Sequence, residues 1–580
     1  MAIKVAIIGG GPSGLAAAKC CVEVNLEPTV FERDCHLGGL WKRGRGCRVW
    51  KSLRTNLSKH TCCFSDFRWP EDAPVFPSAA QVREYIEDYA TTFDLRKFVR
   101  FGHVVTSVSK SSTGTWDVEF TASSTPQQGK ANGRHTETFD KCIVASGIFT
   151  EPYFPPPSKV QGIADAVQTG WATHGAAYRD PSFFAGKTVL VVGCAFSGAE
   201  IASDLAGTTL RCLAASGRPS LFVTRLISKR VSKRGERSAR ACHGDASTPT
   251  AEQEGNSSCV EVRDGGIGES STLLVPLDIA LYSRKGRTEY KASTASPEDK
   301  NRATQTFLLE LTNNDPGEVH GDLRLDGDSD CPRPPHVAVS DDFLTKVQDE
   351  LIEVRPRLVA VDAYERKARF ADGTTEEVDH VIFCTGLRPC LSFLSQSVLH
   401  QLEHEADDPL QPLILEHQTW RACVPDLAFV GVYRGPYFGV MELQARRVWP
   451  HVPLLAVQWA TRMWGGLVDP PPPMASDAAL RESRGVRAKH PRPQFPTDYV
   501  DMMEVLAMVA GLIPLSSPDI DDVLRSPKQR TSCVDLLPRG RKTRVLEGSG
   551  ASSMRGMDHL VEWMWSGPLL PCHYFILQHL

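Results

Sequence analysis

The 580-residue sequence holds 17 cysteines, yet no two stand at CxxC spacing. That absence removes the zinc-ribbon pattern and the dithiol motif of thioredoxin-like enzymes. No run of 18 apolar residues occurs, so no stretch qualifies as a membrane-spanning helix. Residues 453–468 come nearest, but Arg462 interrupts them and they read as an amphipathic core helix. The apolar tail, 563–580, is broken by Pro568 and Pro571 and reads as packing onto the core. Charge of one sign is also lacking. Lys plus Arg number 65 against 69 Asp plus Glu, a net −4, and a general nucleic-acid binder would be strongly basic. The start, Met1-Ala2-Ile3-Lys4, carries no signal-peptide pattern. With an odd cysteine count this favours a reducing compartment, most cysteines serving as small buried hydrophobes. The expectation is a cytoplasmic protein whose membrane contact is at most peripheral, at the endoplasmic reticulum.

What remains is an ordinary globular composition, 41% hydrophobic and 23% charged. The length suits about three to five domains or one composite enzyme core. Within it, glycine is concentrated where a chain must turn sharply. Ile3 to Ile8 is a Val/Ile-rich strand candidate running into Gly9, Gly10, Gly11, Pro12, Ser13 and Gly14, with a helix expected over 15–24. A second strand over 28–31 ends at Glu32. Strand, glycine turn, helix, strand and acid form the layout of a dinucleotide-binding βαβ unit. In it Gly9 permits the turn, Gly11 admits a pyrophosphate, Gly14 allows the helix to pack, and the helix N-terminus attracts the phosphates. Glu32 would accept a hydrogen bond from a ribose hydroxyl while repelling a 2′-phosphate.

The layout recurs. Thr188 to Val192 leads into Gly193, Cys194, Ala195, Phe196, Ser197 and Gly198, with a helix over 199–205 and a strand over 210–215. Ala195 stands where the middle glycine belongs. The second strand ends at Ser216, Gly217 and Arg218 instead of at an acid, so Arg218 could pair with the 2′-phosphate of NADP. Ser197 is a candidate phosphate-contacting hydroxyl. Two further segments look alike, Asp140 to Gly147 and Asp379 to Gly386, each a strand ending in a small-residue turn. In two-dinucleotide flavoproteins, which this layout resembles, such segments mark the chain crossing between the nucleotide domains; the expectation is that the chain leaves a two-piece flavin domain near Gly147 and returns near Gly386, with the second unit nested in the first. The expected fold class is α/β, with two Rossmann-like dinucleotide-binding domains, the NADPH domain inserted in the FAD domain.

The domain layout expected is 1–160 for the first part of the FAD domain and 161–335 for the NADP domain. Within the latter, much of about 229–335 reads as a loop-like, poorly ordered insertion, where periodicity fades around a few apolar runs such as Thr272 to Leu281. Residues 336–450 complete the NADP domain and return to the FAD domain, and 451–580 form a helical extension packing on it. The basic cluster Lys229, Arg230, Lys233, Arg234, Arg237 and Arg240 reads as a solvated face. A polar, proline-rich stretch follows over 470–496.

Beyond the fingerprints, the chain resembles the class B flavin monooxygenases, in the flavin-containing, N- and S-oxygenating branch. Gly38-Gly39-Leu40-Trp41 resembles that family's Gly-Gly-x-Trp segment, and Ser52-Leu53-Arg54-Thr55-Asn56 its Ser-Leu-x-Thr-Asn segment. Gly170, His174 and Tyr178 follow its Phe-x-Gly-x-x-x-His-x-x-x-Tyr signature, with Gln168 in place of phenylalanine. The tyrosine is similar to the N/S branch, since Baeyer–Villiger relatives usually carry Trp-Pro there. Thr385-Gly386 resembles the Ala-Thr-Gly turn, and Glu442 to Arg446 the Glu-x-Gln-Ala-Arg helix. Gly567, Pro568, Pro571 and Tyr574 resemble a late Gly-Pro-x-x-Pro-x-x-Tyr segment.

The resemblance implies an NADPH- and FAD-dependent monooxygenase, active on N,N-dimethylaniline-like amines or on sulfides, that forms a flavin C4a-hydroperoxide and passes one oxygen of O2 to a soft nitrogen or sulfur. The cofactor carries the hard chemistry. It also implies Asn56 as the catalytic residue. The cofactor-binding set is Gly9, Gly11, Pro12, Ser13, Gly14, Glu32, Arg33, Gly39, Leu40, Trp41, Thr55, Asn56, Gly193, Ser197, Gly198, Arg218, Thr385, Gly386 and Gln444, the last as a flavin-side amide. His174 is expected to be structural, and no metal is expected. The partners are a small amine or sulfide and molecular oxygen, with no nucleic acid and scope for a homo-oligomer. A Baeyer–Villiger or N-hydroxylating enzyme and a degenerate nucleotide-binding scaffold stay open as alternatives; a disulfide reductase lacks its CxxC.

Overall fold

The protein was analysed as a computed structural model, which describes residues 2–42, 44, 47–122, 133–217, 220–231, 260–262, 271–281, 293–312, 315–323, 336–432, 438–448, 473–488, 502–503 and 506. Strand β1 (Lys4–Ile8) turns into helix α1 (Pro12–Glu23), and the chain returns as β2 (Glu27–Glu32) alongside β1. β3 (Val99–Phe101) and β4 (Lys141–Val144) extend the same sheet. The chain then crosses to a second sheet made of β5 (Ala172–His174), β6 (Thr188–Val192), β7 (Arg211–Ala215), β8 (Glu353–Arg355) and β9 (His380–Phe383), with helix α2 (Phe196–Leu205) between β6 and β7. It comes back as β10 (Leu427–Phe429) and α3 (Phe438–Val448).

Both sheets are five-stranded and wholly parallel, in the orders β10-β4-β1-β2-β3 and β8-β7-β6-β9-β5. Their apolar runs are continuous because both faces are covered. Val5 and Ile7 of β1 pack with α1, the helix Ala79–Thr92 and α3, whereas Ala6 and Ile8 face the antiparallel sheet of residues 103–139 and the 391–432 region. The second sheet repeats this, Val189 and Val191 packing with α2 and Leu190 and Val192 with the opposite layer. The crossing between sheets is a pair of short antiparallel strands, Glu151–Pro152 against Leu387–Arg388. Tyr153 N–H donates to Gly386 O at 3.0 Å, and the Thr385 hydroxyl to Tyr153 O at 2.5 Å.

Within 229–335 the described residues include regular elements. Leu226–Val231, Val260–Val262 and Ser271–Pro276 form a three-stranded antiparallel sheet, followed by helices Leu277–Leu281 and Pro297–Thr312. These strands are three to six residues long, too short for alternation to stand out among Ser, Thr and Gly. The proline-rich stretch likewise contains a helix, Pro473–Ala488, with a proline at its first turn, where no donor is needed. It docks through Arg484 on Glu403, Arg487 on Gln411 O and the buried Ser483 on Gln411. The expected helix over 453–468, the tail motif from Gly567 to Tyr574, and the basic residues from Lys233 to Arg240 lie outside the described residues.

Candidate active site

At the first glycine turn, Gly9 takes φ +115° and its N–H donates to Phe31 O at 2.9 Å, bending the chain over the end of β2. A Cβ at Gly14 would fall under 3.0 Å from Gly9 O, so only glycine lets α1 start this close to β1. α1 begins at Gly11 with no side-chain cap and no acid in its first turn, leaving its positive end for a ligand. Glu32 is 5% exposed and accepts from Gly10 N–H at 2.7 Å and Asp34 N–H at 2.9 Å. Burial raises its carboxyl pKa, against the pull of those two N–H groups. Arg33 beside it points to solvent. Gly38 N–H donates to Gly10 O, and the single turn Gly39–Trp41 lies against Gly11, whose absent Cβ would meet Gly39 Cα at 3.4 Å. The hydroxyls of Thr55 and Ser146 are buried with no protein partner among the described residues. Glycine cradle, uncapped helix, ribose-height acid and orphaned hydroxyls fit a dinucleotide such as FAD.

Gln444 sits in the same layer with a different task. Its Oε1 accepts from Gly431 N–H at 2.8 Å and its Nε2 donates to Gln418 O at 3.0 Å, and it is fully buried. Gly431, at φ +73°, presses against Ser13, leaving no room for a Cβ. Gln444 therefore positions the loop behind the α1 N-terminus. Two residues earlier, Glu442 accepts from Ser65 N–H at 2.8 Å and from its hydroxyl at 2.6 Å.

The second unit repeats the geometry with one change. Gly193 takes φ +95°, a Cβ at Gly198 would collide with Gly193 O, and α2 starts at Ala195, again uncapped. Ser197 is exposed in its first turn. Arg218 lies outside the described residues. Thr385 and Gly386 belong to the crossing, where Thr385 holds Tyr153.

Residues 47–61 of the first domain run along the second and are gripped at four places. Arg179 donates to Cys47 O, and Lys51 N–H to Arg179 O at 3.0 Å. Asp204 of α2 accepts from both Ser52 Oγ at 2.8 Å and Tyr178 OH at 2.7 Å, which gives the signature tyrosine a structural reason. Arg225, with its side chain 7% exposed, donates to Thr55 O at 3.1 Å and reaches Asn56 Oδ1 at 3.5 Å. The same guanidinium pairs with Glu200 at 2.7 Å and Asp341 at 2.6 Å. Finally Asp278, in the first turn of the helix Leu277–Leu281, accepts from Ser58 N–H at 2.9 Å, Ser58 Oγ at 2.8 Å and the Thr61 hydroxyl. Asp204, Arg225 and Asp278 carried no spacing signal, because only the fold brings them to residues 150–220 positions away.

His174 is 7% exposed, accepts from Ala176 N–H at 3.0 Å and meets Phe154 edge-on. Burial lowers its pKa, so it stays neutral and positions the 174–178 turn. His380 in β9, bonded to Thr173 at 2.9 Å, is lowered to about 4, by burial first and Lys187 second. Since the unfolded side chain titrates near 6.5, this histidine costs nothing above that pH. As pH falls toward 4 the unfolded state takes up a proton that the folded state refuses, and stability drops. Melting temperature should decline over this window, less steeply in His380→Gln than in wild type; parallel slopes would exclude His380 as a cause. The thiols of Cys62, Cys194 and Cys212 are pushed up to about 12 by burial, so they are neither nucleophiles nor a redox pair.

Residues 2–234 match the flavin-binding monooxygenase-like family model. Dimethylaniline monooxygenase (N-oxide-forming) 2 of Mus musculus is 30% identical over 532 residues, covering 89% of this chain and 84% of that protein. The chain belongs to the flavin-containing monooxygenase family. Flavin-containing monooxygenase 5 of Rattus norvegicus is 29% identical, with 88% and 83% covered. Among solved structures, S-allyl-L-cysteine S-oxygenase from Allium sativum shares the fold at TM-score 0.54 and 18% identity, covering 97% of this chain and 99% of that one. The open form of cyclohexanone monooxygenase does so at 0.53 and 16%, covering 88% and 98%. As a flavin-containing monooxygenase the protein is an enzyme that uses FAD and NADPH, taking molecular oxygen and a small-molecule substrate. Among the described residues no helix is long and apolar enough to cross a membrane.

Proposed function

We propose that this flavin-containing monooxygenase is an N- or S-oxygenating enzyme in which Asn56 is the catalytic residue. The reaction is substrate plus NADPH, H+ and O2 going to the N-oxide or sulfoxide, NADP+ and water. The observation that carries the reading is the seat of Asn56. It lies on the first domain's segment against the second domain, its carbonyl oxygen faced by Arg225, which also donates to Thr55 O and pairs with Glu200 and Asp341 of the second domain. FAD, when bound in the first cradle and reduced by NADPH, supplies the oxygen activation.

The chain's own residues bind, orient and keep dry. The two glycine turns would hold the pyrophosphates against the ends of α1 and α2. Asn56 offers one carbonyl and one amide from a fixed backbone, able to accept from one group and donate to another. Arg225 holds the carbonyl end, which aims the amide nitrogen. The four grips along residues 47–61 fix this segment on the second domain, with Thr55, Ser58 and Thr61 buried, where polar contacts strengthen. Tyr178, bonded to Asp204, stands where the signature of the N- and S-oxygenating branch has its tyrosine, and this supports that branch over ketone oxygenation.

The test is Asn56→Ala. Flavin content should be unchanged, while N-oxide or sulfoxide formed per NADPH from dimethylaniline or a methyl sulfide falls at least about a hundredfold, the scale of losing one preorganised donor at a reacting centre. Undiminished product would remove Asn56 from the chemistry. Lactone from cyclohexanone, with neither N-oxide nor sulfoxide, would move the enzyme to the Baeyer–Villiger branch.

A further inference from the structure

A nucleotide's adenosine ribose lies beyond the end of the second strand of its βαβ unit, here the end of β7. An NAD site carries an acid there to take the 2′-hydroxyl, and an NADP site carries a cation instead. β7 ends at Ala215 and continues through Ser216 and Gly217 without an acid. The neighbouring strand β8 runs parallel and in register, Ala215 opposite Arg355. Two residues beyond Arg355, Arg357 leaves the same edge of the sheet. Its Cγ and Cδ would lie 3.5 and 3.7 Å from a Cβ at Gly217, so the aliphatic stem runs along that glycine. Its backbone is fixed, the carbonyl accepting from Ala371 N–H at 2.9 Å.

Other arginines of this edge are already committed. Arg211 pairs with Glu353 at 2.7 Å and Glu376 at 3.1 Å, and Arg355 with the same two carboxylates at 2.7 Å each. Arg357 is exposed and forms no ion pair among the described residues. Two acids that could have claimed it are occupied by its neighbours. A guanidinium held beside the turn, at the open end of the second strand, suits a phosphate monoester, which it can meet with two parallel N–H donors.

We infer that Arg357 is a specificity-determining residue that recognises the 2′-phosphate of NADP from the strand next to the one carrying the fingerprint. This rests on reading the second unit as the NADPH site. Arg357 acts from across the turn whichever way Arg218 contributes.

The experiment is titration calorimetry of the FAD-loaded protein with NADP+, NAD+, 2′,5′-ADP and 5′-ADP, in wild type, Arg357→Gln, Arg357→Lys and Arg218→Gln. In Arg357→Gln the Kd for NADP+ and 2′,5′-ADP should rise about tenfold, the scale of one charge-assisted contact, while NAD+ and 5′-ADP change less than about twofold. Arg357→Lys should recover part of the loss by restoring the charge without the fork. Equal weakening of both nucleotide pairs, or no weakening of either, overturns the assignment. Arg357→Gln unchanged while Arg218→Gln loses the discrimination does the same, and returns the role to Arg218 alone. Wild-type protein that binds neither NADP+ nor 2′,5′-ADP overturns the cofactor reading of the second unit, and the Arg357 assignment with it.

Discussion

Gly14→Ala should yield protein without bound flavin. The new methyl carbon would sit under 3.0 Å from Gly9 O, a backbone atom that cannot yield without moving the turn. Relief requires α1 to back away from β1, which opens the cradle between Gly11 and Gly39 and turns the helix N-terminus from the pyrophosphate. The purified variant should lose its visible flavin absorbance, and added FAD should bind at least about a hundredfold more weakly, an effect of roughly 2.7 kcal/mol. Gly198→Ala places the same collision in the second unit, against Gly193 O. It should stay yellow and lose NADP+ binding instead. A Gly14→Ala protein that keeps its flavin would show that the turn can relax, and a colourless Gly198→Ala would show that the two units do not fold independently.

Arg225→Met carries the second large effect. Its guanidinium serves Glu200, Asp341, Thr55 O and Asn56 from a position almost closed to water. Removing one member of a buried ion-pair group leaves the others uncompensated, at a cost of about 3–5 kcal/mol. The lower end applies here, because Asp341 is 45% exposed and water can take over part of its charge. Denaturant titration should record a loss of roughly 3 kcal/mol. In protein that remains folded, NADPH should be consumed with hydrogen peroxide accumulating in place of oxygenated substrate, since Asn56 has lost its anchor. Arg225→Lys should recover stability more than coupling, because an ammonium can neutralise two carboxylates but lacks the fork to reach Asn56 as well. Wild-type coupling in Arg225→Met would reduce Arg225 to a purely structural ion pair.

Local chemistry in the sequence was enough for the two cradles. Gly9, Gly14, Gly193 and Gly198 are written by spacing because each answers a clash or a positive φ within a dozen residues of chain. The nesting was legible from the likeness of two strand ends, and the crossing strands Glu151–Pro152 and Leu387–Arg388 stand just beyond them. What the sequence left unwritten is where a residue's meaning depends on distant partners. Gln444 lies in a segment that resembles a flavin-side helix, and both ends of its amide serve backbone groups on either side of β10, Gln418 O and Gly431 N–H. Asp278 sits in a stretch of faded periodicity, and its three donors come from residues 217 and 220 positions away. Short strands and single buried carboxylates leave no periodic trace, so the part of Asp278 in bracing the segment that carries Asn56 shows only in the fold.

Where the inserted unit departs from its host, its two ends touch. Tyr153 on the outward path and Thr385 on the return are joined by a hydrogen bond, and one residue further Gly386 accepts from Tyr153 N–H. More than two hundred residues thus hang from a neck one strand pair wide, and the host sheet keeps β4, β1 and β10 in contact on its own side of it. Neighbouring ends of this kind are what tolerated domain insertion requires. A linker of a few residues from 153 to 385 would close the host without stretching it. The architecture is modular in the genetic sense: the reductant-binding half could be spliced out, exchanged for that of a relative, or re-entered at another point, with the neck as the natural seam.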